Sequence, residues 1–110
     1  MLNVEDMATL TRYGRGIMAK AKHHGVSVME VLPDLIGHVI LRADKVELWG
    51  EGTGVALKFR AIRTGRTYAM SYDHLTHTVA MKDGNHQGPV IHRFDNGTDR
   101  AAVAAVFAVL

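Results

Sequence analysis

Near Lys45 the hydrophobic period of this chain changes from that of a helix to that of a strand. Upstream, apolar residues recur every three to four positions. From Lys45 onward, short β-like runs alternate with turn residues, and no helical stripe returns until Thr98. Helices segregated from a run of consecutive strands define an α+β fold, here an antiparallel meander of five strands packed with two N-terminal helices and one C-terminal helix. A chain of 110 residues holds one hydrophobic core and is too short for two, so 1–110 reads as a single domain.

The first helix is expected from Val4 to Lys22, where Val4, Met7, Leu10, Gly14, Ile17, Met18 and Ala21 share a face. Asn3 can cap it, Glu5 and Asp6 suit the positive end of its dipole, and Lys20, Lys22, His23 and His24 suit the negative end before a stop at Gly25. Gly14 and Gly16 mark close packing or a kink. Ser27 and Glu30 form a capping-box pattern that predicts a second helix from Val28, bent near Pro33 and continuing through Leu41. A competing reading makes His38 to Arg42 a strand.

Five strands follow, at Lys45 to Gly50, Val55 to Arg63, Arg66 to Tyr72, Thr78 to Lys82 and Val90 to Phe94. In the second, Val55, Leu57, Phe59 and Ala61 take one face while Lys58 and Arg60 take the other, so one sheet face is buried and one is wetter. Thr64-Gly65 and Asp83-Gly84-Asn85 are turns. The last helix, Thr98 to Leu110 with Thr98 as cap, carries Val103, Val106, Phe107 and Leu110 on one side and alanine and valine on the other. It is too apolar for a surface helix and is expected in the core or against a second subunit.

Composition removes several function classes. Hydrophobic residues at 47%, charged residues at 22% and only two prolines describe a folded chain. No apolar run approaches the ~18 residues that span a bilayer, and no signal-peptide order opens the chain, so a cytoplasmic protein without membrane association is expected. The absence of cysteine removes disulfides, thiolate catalysis and cysteine metal sites. Thirteen Lys and Arg against 11 Asp and Glu leave a formal +2 scattered along the chain, which does not suit nucleic-acid binding. Seven histidines are the unusual element, because imidazoles gain charge near neutrality.

The densest polar stretch is Tyr72-Asp73-His74-Leu75-Thr76-His77, between two expected strands. A His-x-x-His spacing can bring two imidazoles to one metal, with Asp73 orienting one of them and His92 and Asp95 approaching from the next strand. The plainer reading, turn histidines bonded to backbone or solvent, is preferred, and no metal, cofactor or catalytic residue is assigned. Arg93 with Arg60, Arg63 and Arg66 can form a cationic patch for an anion, against the ordinary alternative of a solvated face with ion pairs. Trp49, Tyr68 and Tyr72 can line a pocket or an interface, with core packing as the default. Gly50-Glu51-Gly52-Thr53-Gly54 lacks the following helix that a phosphate cradle needs, and Ser27 and Ser71 lack the setting of a nucleophile. The candidate ligand-binding set is therefore Trp49, Arg60, Tyr72, Asp73, His74, His77, His92 and Arg93.

Tyr68 to Gly84, followed by Val90-Ile91-His92-Arg93-Phe94-Asp95-Asn96, resembles small α+β proteins encoded by mobile integron gene cassettes. The resemblance implies a compact bacterial cytoplasmic protein, often oligomeric, and transfers no functional residue. The function expected is a noncatalytic oligomeric module that binds a small ligand or a protein partner. Association is expected through the last helix or the sheet face beside it. The alternative is a small enzyme using the His/Asp cluster, with or without a metal.

Overall fold

The computed structural model describes residues 2–24, 28, 30–49 and 56–110. Its elements run α1 (Val4–His24), α2 (Leu32–Arg42), β1 (Ala43–Trp49), β2 (Ala56–Ala61), β3 (Thr67–Asp73), β4 (Thr78–Asp83), β5 (Val90–Phe94) and α3 (Arg100–Ala108). The strands form one sheet in chain order, every neighbour antiparallel. This is the α+β meander that the change of period predicts. The stop at Gly25, the cap at Ser27 and the Gly50 to Gly54 loop lie outside the described residues.

Alternation along antiparallel strands places opposed residues on one face. Leu48, Leu57, Met70, Met81 and His92 form one row across all five strands, and Trp49, Ala56, Ser71, Ala80 and Arg93 form the adjacent row on the opposite face. The first face is the core. Leu57, Phe59, Met70, Val79, Met81 and Phe94 bury themselves there against Leu10 and Tyr13 of α1, Leu32, Leu35 and Val39 of α2, and Val103 and Phe107 of α3. Burying one such side chain contributes roughly 1.5 to 3 kcal/mol. All three helices serve this side, and the second face carries the polar members of the strands.

α1 runs through Gly14 and Gly16 without a break. At its start, Asn3 Oδ1 accepts from the Asp6 amide at 2.8 Å, the cap expected of Asn3, while Asp6 Oδ2 accepts from the Asn3 amide at 2.9 Å and makes the cap reciprocal. On its buried side the Tyr13 hydroxyl donates to the Met70 carbonyl at 3.0 Å and ties α1 to β3.

Two helix starts differ from expectation. α2 begins at Leu32, so Pro33 occupies the first turn, where its missing N–H costs nothing, and no bend is needed there. Asn96 lies far along the chain, and its Oδ1 accepts from the amides of Glu30 and Val31 at 2.8 and 3.2 Å, satisfying donors just ahead of α2. Residues 38–42 are helical, which removes the strand alternative. α3 is capped by Asp99, whose Oδ1 accepts from the Ala102 amide at 2.7 Å, while Thr98 Oγ1 accepts from the Asp95 amide.

α3 does not need burial all round. Phe107 stacks on His38 of α2 at 5.1 Å and lies 6.1 Å from Phe59 and 6.4 Å from Phe94, while Ala101, Ala102, Ala105, Ala108 and Val109 face outward. Its large side chains are covered within the chain, by α2 and the sheet, and its exposed side is largely alanine.

Candidate functional site

Strand alternation divides the candidate residues between two faces. Asp73 and Arg93 belong to the open face; Tyr72 and His92 belong to the core face, although His92 and Arg93 are neighbours in sequence. His74 and His77 lie in the connection between β3 and β4. The stretch from Tyr72 to His77 is thus a strand end and a turn rather than one constellation.

On the open face, Arg93 Nη1 reaches Asp73 Oδ2 at 2.9 Å, Thr76 Oγ1 at 3.0 Å and Thr78 Oγ1 at 3.2 Å. Asp73 Oδ1 accepts from the amides of Leu75 and Thr76, so its carboxylate closes the turn and anchors Arg93 together. The Arg93 guanidinium, and after it the Leu75 amide, hold the Asp73 carboxyl below its usual range. At the rim of the core face, the Tyr72 hydroxyl and His77 Nδ1 lie 3.2 Å apart, and the His74 ring meets Tyr72 edge-on at 4.9 Å. His77 holds φ at 55°, a left-handed conformation uncommon outside glycine. Among the described residues, no three His, Asp or Glu side chains are placed to hold a metal ion together.

The arginines do not converge. Arg60 is paired in a fork with Asp44, at 2.8 Å from Nε and 3.2 Å from Nη2, and this contact holds the Asp44 carboxyl low. Arg60 stands in the row of Thr67 and Arg93 in the row of Ser71, so strand geometry separates them by about 14 Å both along and across the sheet. Arg63 donates to the Val109 carbonyl, away from both. Arg60 and Arg93 are thus ion-paired separately, as the ordinary reading of a solvated face has it, and do not join in one cationic patch.

The open face instead gathers around Trp49, a candidate from the sequence, three residues that the sequence reading did not single out: Lys58, Lys82 and His86. From edge strand β1, the Trp49 ring stacks with His86 of the β4–β5 connection at 6.0 Å. Lys58 Nζ stands 5.5 Å from the indole centroid, and Lys82 Nζ donates to the His86 carbonyl at 3.0 Å. β1 and β4 lie about 14 Å apart at normal strand spacing, so the two rings meet over β2 and β3. Beneath them, Ala56, Ala69 and Ala80 are buried although they face away from the helices. Lys45 is paired with Glu47, Arg60 with Asp44 and Arg93 with Asp73, whereas Lys58 stands over the indole ring and Lys82 holds the His86 carbonyl. The signal available in sequence was the alternation that puts Lys58 beside Arg60 and opposite Leu57. Nothing local announced His86.

Fold and surface together define an α+β protein in which one antiparallel meander carries its helices on one side and a polar, aromatic-bearing face on the other. Residues 10–103 match the family model described as integron cassette protein VCH_CASS1 chain, and the chain belongs to that family. The match spans far more than the 68–96 stretch that carries the resemblance in sequence, and the family description assigns no activity. No curated protein matches the chain. Among the described residues, no helix is long and apolar enough to cross a membrane.

Proposed function

We propose that this protein is a noncatalytic, homo-oligomeric module of the bacterial cytoplasm that takes a small ligand or a protein partner on the open face of its sheet. The observation that supports this reading is the half-exposed Trp49, held between Lys58 and His86 above an alanine floor. Tryptophan is over-represented where proteins bind, because one rigid ring offers a large contact area at small entropic cost. A ligand entering here meets an aromatic face, two ammonium groups and an imidazole without having to break a carboxylate pair.

Asp73 serves as a structural anion in this reading. Its carboxylate is engaged by Arg93 and by two amides of its own turn, which suits it to holding a loop rather than to accepting protons from a substrate.

Trp49 is the only tryptophan, so its fluorescence reports on this face alone. A panel of small carboxylates, phosphates, nucleotides and aromatic acids is expected to include one class that changes the emission saturably, and calorimetry should show that class losing affinity for Trp49→Ala. A panel without saturable change, together with turnover of any member that disappears in Asp73→Asn, would favour the enzymatic alternative instead.

A further inference from the structure

We infer that the ligand taken on the open face is a flat aromatic acid, with its anionic group carried directly on a planar ring. The inference rests on the proposed reading of Trp49 as a binding surface and names the chemistry that this surface selects. Charge on the face is unevenly matched. Its carboxylates are each occupied: Glu47 holds Lys45 at 3.3 Å, Asp44 holds Arg60 at 2.8 Å and Asp73 holds Arg93 at 2.9 Å. Lys58 and Lys82 stand in one row with Ala69 between them, about 10 Å apart at normal strand spacing. Among the described residues, neither lysine has a carboxylate within ion-pair distance. Even Glu47, the residue opposite Lys58 on β1, is engaged by Lys45 instead.

The shape of the face adds to that imbalance. Beside Lys58 it deepens into a hollow of about 150 Å³ lined by Lys45, Glu47, Lys58, Phe59, Arg60 and Thr67. Three of these six residues are cations and one is an acid, so the potential in the hollow is positive, and a concave wall concentrates it. On the other side of Ala69, Lys82 uses one of its three N–H donors on the His86 carbonyl and keeps the others. The charge that this face attracts is therefore negative.

The rings decide what carries the charge. The Trp49 and His86 centroids lie 6.0 Å apart with their planes inclined by 27°. A flat ring touching both needs about 7 Å, two contacts of about 3.5 Å each, so a shift of about 1 Å admits one. His86 is exposed, and the tip that carries it is closed on itself: the Gly88 amide donates to the Asn85 carbonyl at 3.0 Å and the Gln87 amide to Asn85 Oδ1 at 2.8 Å. That tip can move as a unit about its anchors, the Asp83 amide on the Pro89 carbonyl and the Gly84 amide on the Thr67 carbonyl. Lys58 Nζ stands 5.5 Å from the indole centroid, and an ammonium–carboxylate bond spans only about 2.7–2.9 Å. The anionic oxygen thus falls beside the stacked ring rather than at the end of a long arm.

Calorimetry on the full chain with naphthoate, naphthamide and cyclohexanecarboxylate separates ring from charge. Naphthoate is expected to bind saturably, and about tenfold or more tighter than naphthamide, which lacks the charge, or cyclohexanecarboxylate, which lacks the flat ring. Lys58→Met keeps the aliphatic stem and removes the ammonium. It should lower naphthoate affinity about tenfold and leave naphthamide unchanged, and Lys58→Arg should recover the loss. His86→Ala should weaken both naphthalene probes by a similar factor, and the circular dichroism of each variant should match the parent. Equal binding of the acid and either control, or naphthoate binding indifferent to Lys58→Met, would overturn the inference and leave the Trp49 face standing as a binding surface. So would a nucleoside monophosphate, with its charge on an arm, that binds while naphthoate does not. Silence from these probes overturns the inference as well, and silence from the broader ligand panel beside it takes the reading of the face with it.

Discussion

Single side chains carry two consequences that the fold makes measurable. Tyr13 is buried, and burial pushes its phenol well above the ordinary value of about 10. A group whose proton is held more tightly in the folded state contributes stability that is complete below its unfolded pKa and is lost as pH rises beyond it. Tyr13→Phe should therefore cost about 1 kcal/mol at neutral pH, through the lost bond to the Met70 carbonyl, and should flatten the fall in stability above about pH 10. Urea titrations at pH 7 and at alkaline pH, run side by side, check both halves. His38 presents the opposite situation. Its Nδ1 is buried with no hydrogen-bond partner among the described residues, while its ring stacks on Phe107. His38→Phe keeps a stacked ring and removes the orphaned nitrogen, so the protein should become about 1 kcal/mol more stable by chemical denaturation. A loss of stability would show that the nitrogen finds a partner in solution.

The connections between strands are where local chemistry decides whether an element forms. A Cβ at Gly88 would run into the Asp83 carbonyl oxygen, and Gly84 holds φ at 84°. Gly88→Ala should force the β4–β5 connection apart and destabilise the protein by roughly 1 to 3 kcal/mol. Because that connection carries His86, the same change should also shift Trp49 emission, whereas simple loss of stability with unaltered native emission would count against the stacked pair. The β3–β4 turn rests on Asp73. Its carboxyl is held below the usual range, so its contribution is present above the ordinary pKa of about 3.9 and disappears as pH falls through the lower folded value. Asp73→Asn should remove that acid limb from a plot of stability against pH, by the few tenths to about 1 kcal/mol that a solvent-accessible pair contributes. An unchanged acid limb in the variant would assign it to other carboxylates.

Over the molecule as a whole, the core is one-sided. Helices on a single face leave Phe107 of α3 as the side chain where α2, α3 and the sheet meet, through His38, Phe59 and Phe94. Phe107→Ala should cost about 3 to 5 kcal/mol, a core-cavity effect that thermal unfolding would show as a large drop in Tm. It should do so without specifically weakening association, since Phe107 is buried within its own chain. The apolarity of the last helix thus has an interior contact to account for it at Phe107.

The strands and turns of the antiparallel meander were legible residue by residue, although the order in which the strands lie side by side was not. Each strand pairs with the next, so alternation such as Leu57, Lys58, Phe59, Arg60, together with turns at Thr64-Gly65 and Gly84-Asn85, sets register within a few positions of the chain. The start of α2 was not legible, since amides just ahead of it are satisfied by Asn96, which belongs to a distant turn. The candidate site divides the same way. Its residue types were visible in Tyr72 to His77 and in Arg93, but whether two neighbours act together depends on which face each one takes, and His92 and Arg93 take opposite ones. The pairing of Arg60 with Asp44 and the meeting of Trp49 with His86 arise only when separate strands are laid side by side. Periodicity encodes what a residue does relative to its own strand; contacts between segments depend on distances that exist only after the chain has closed on itself.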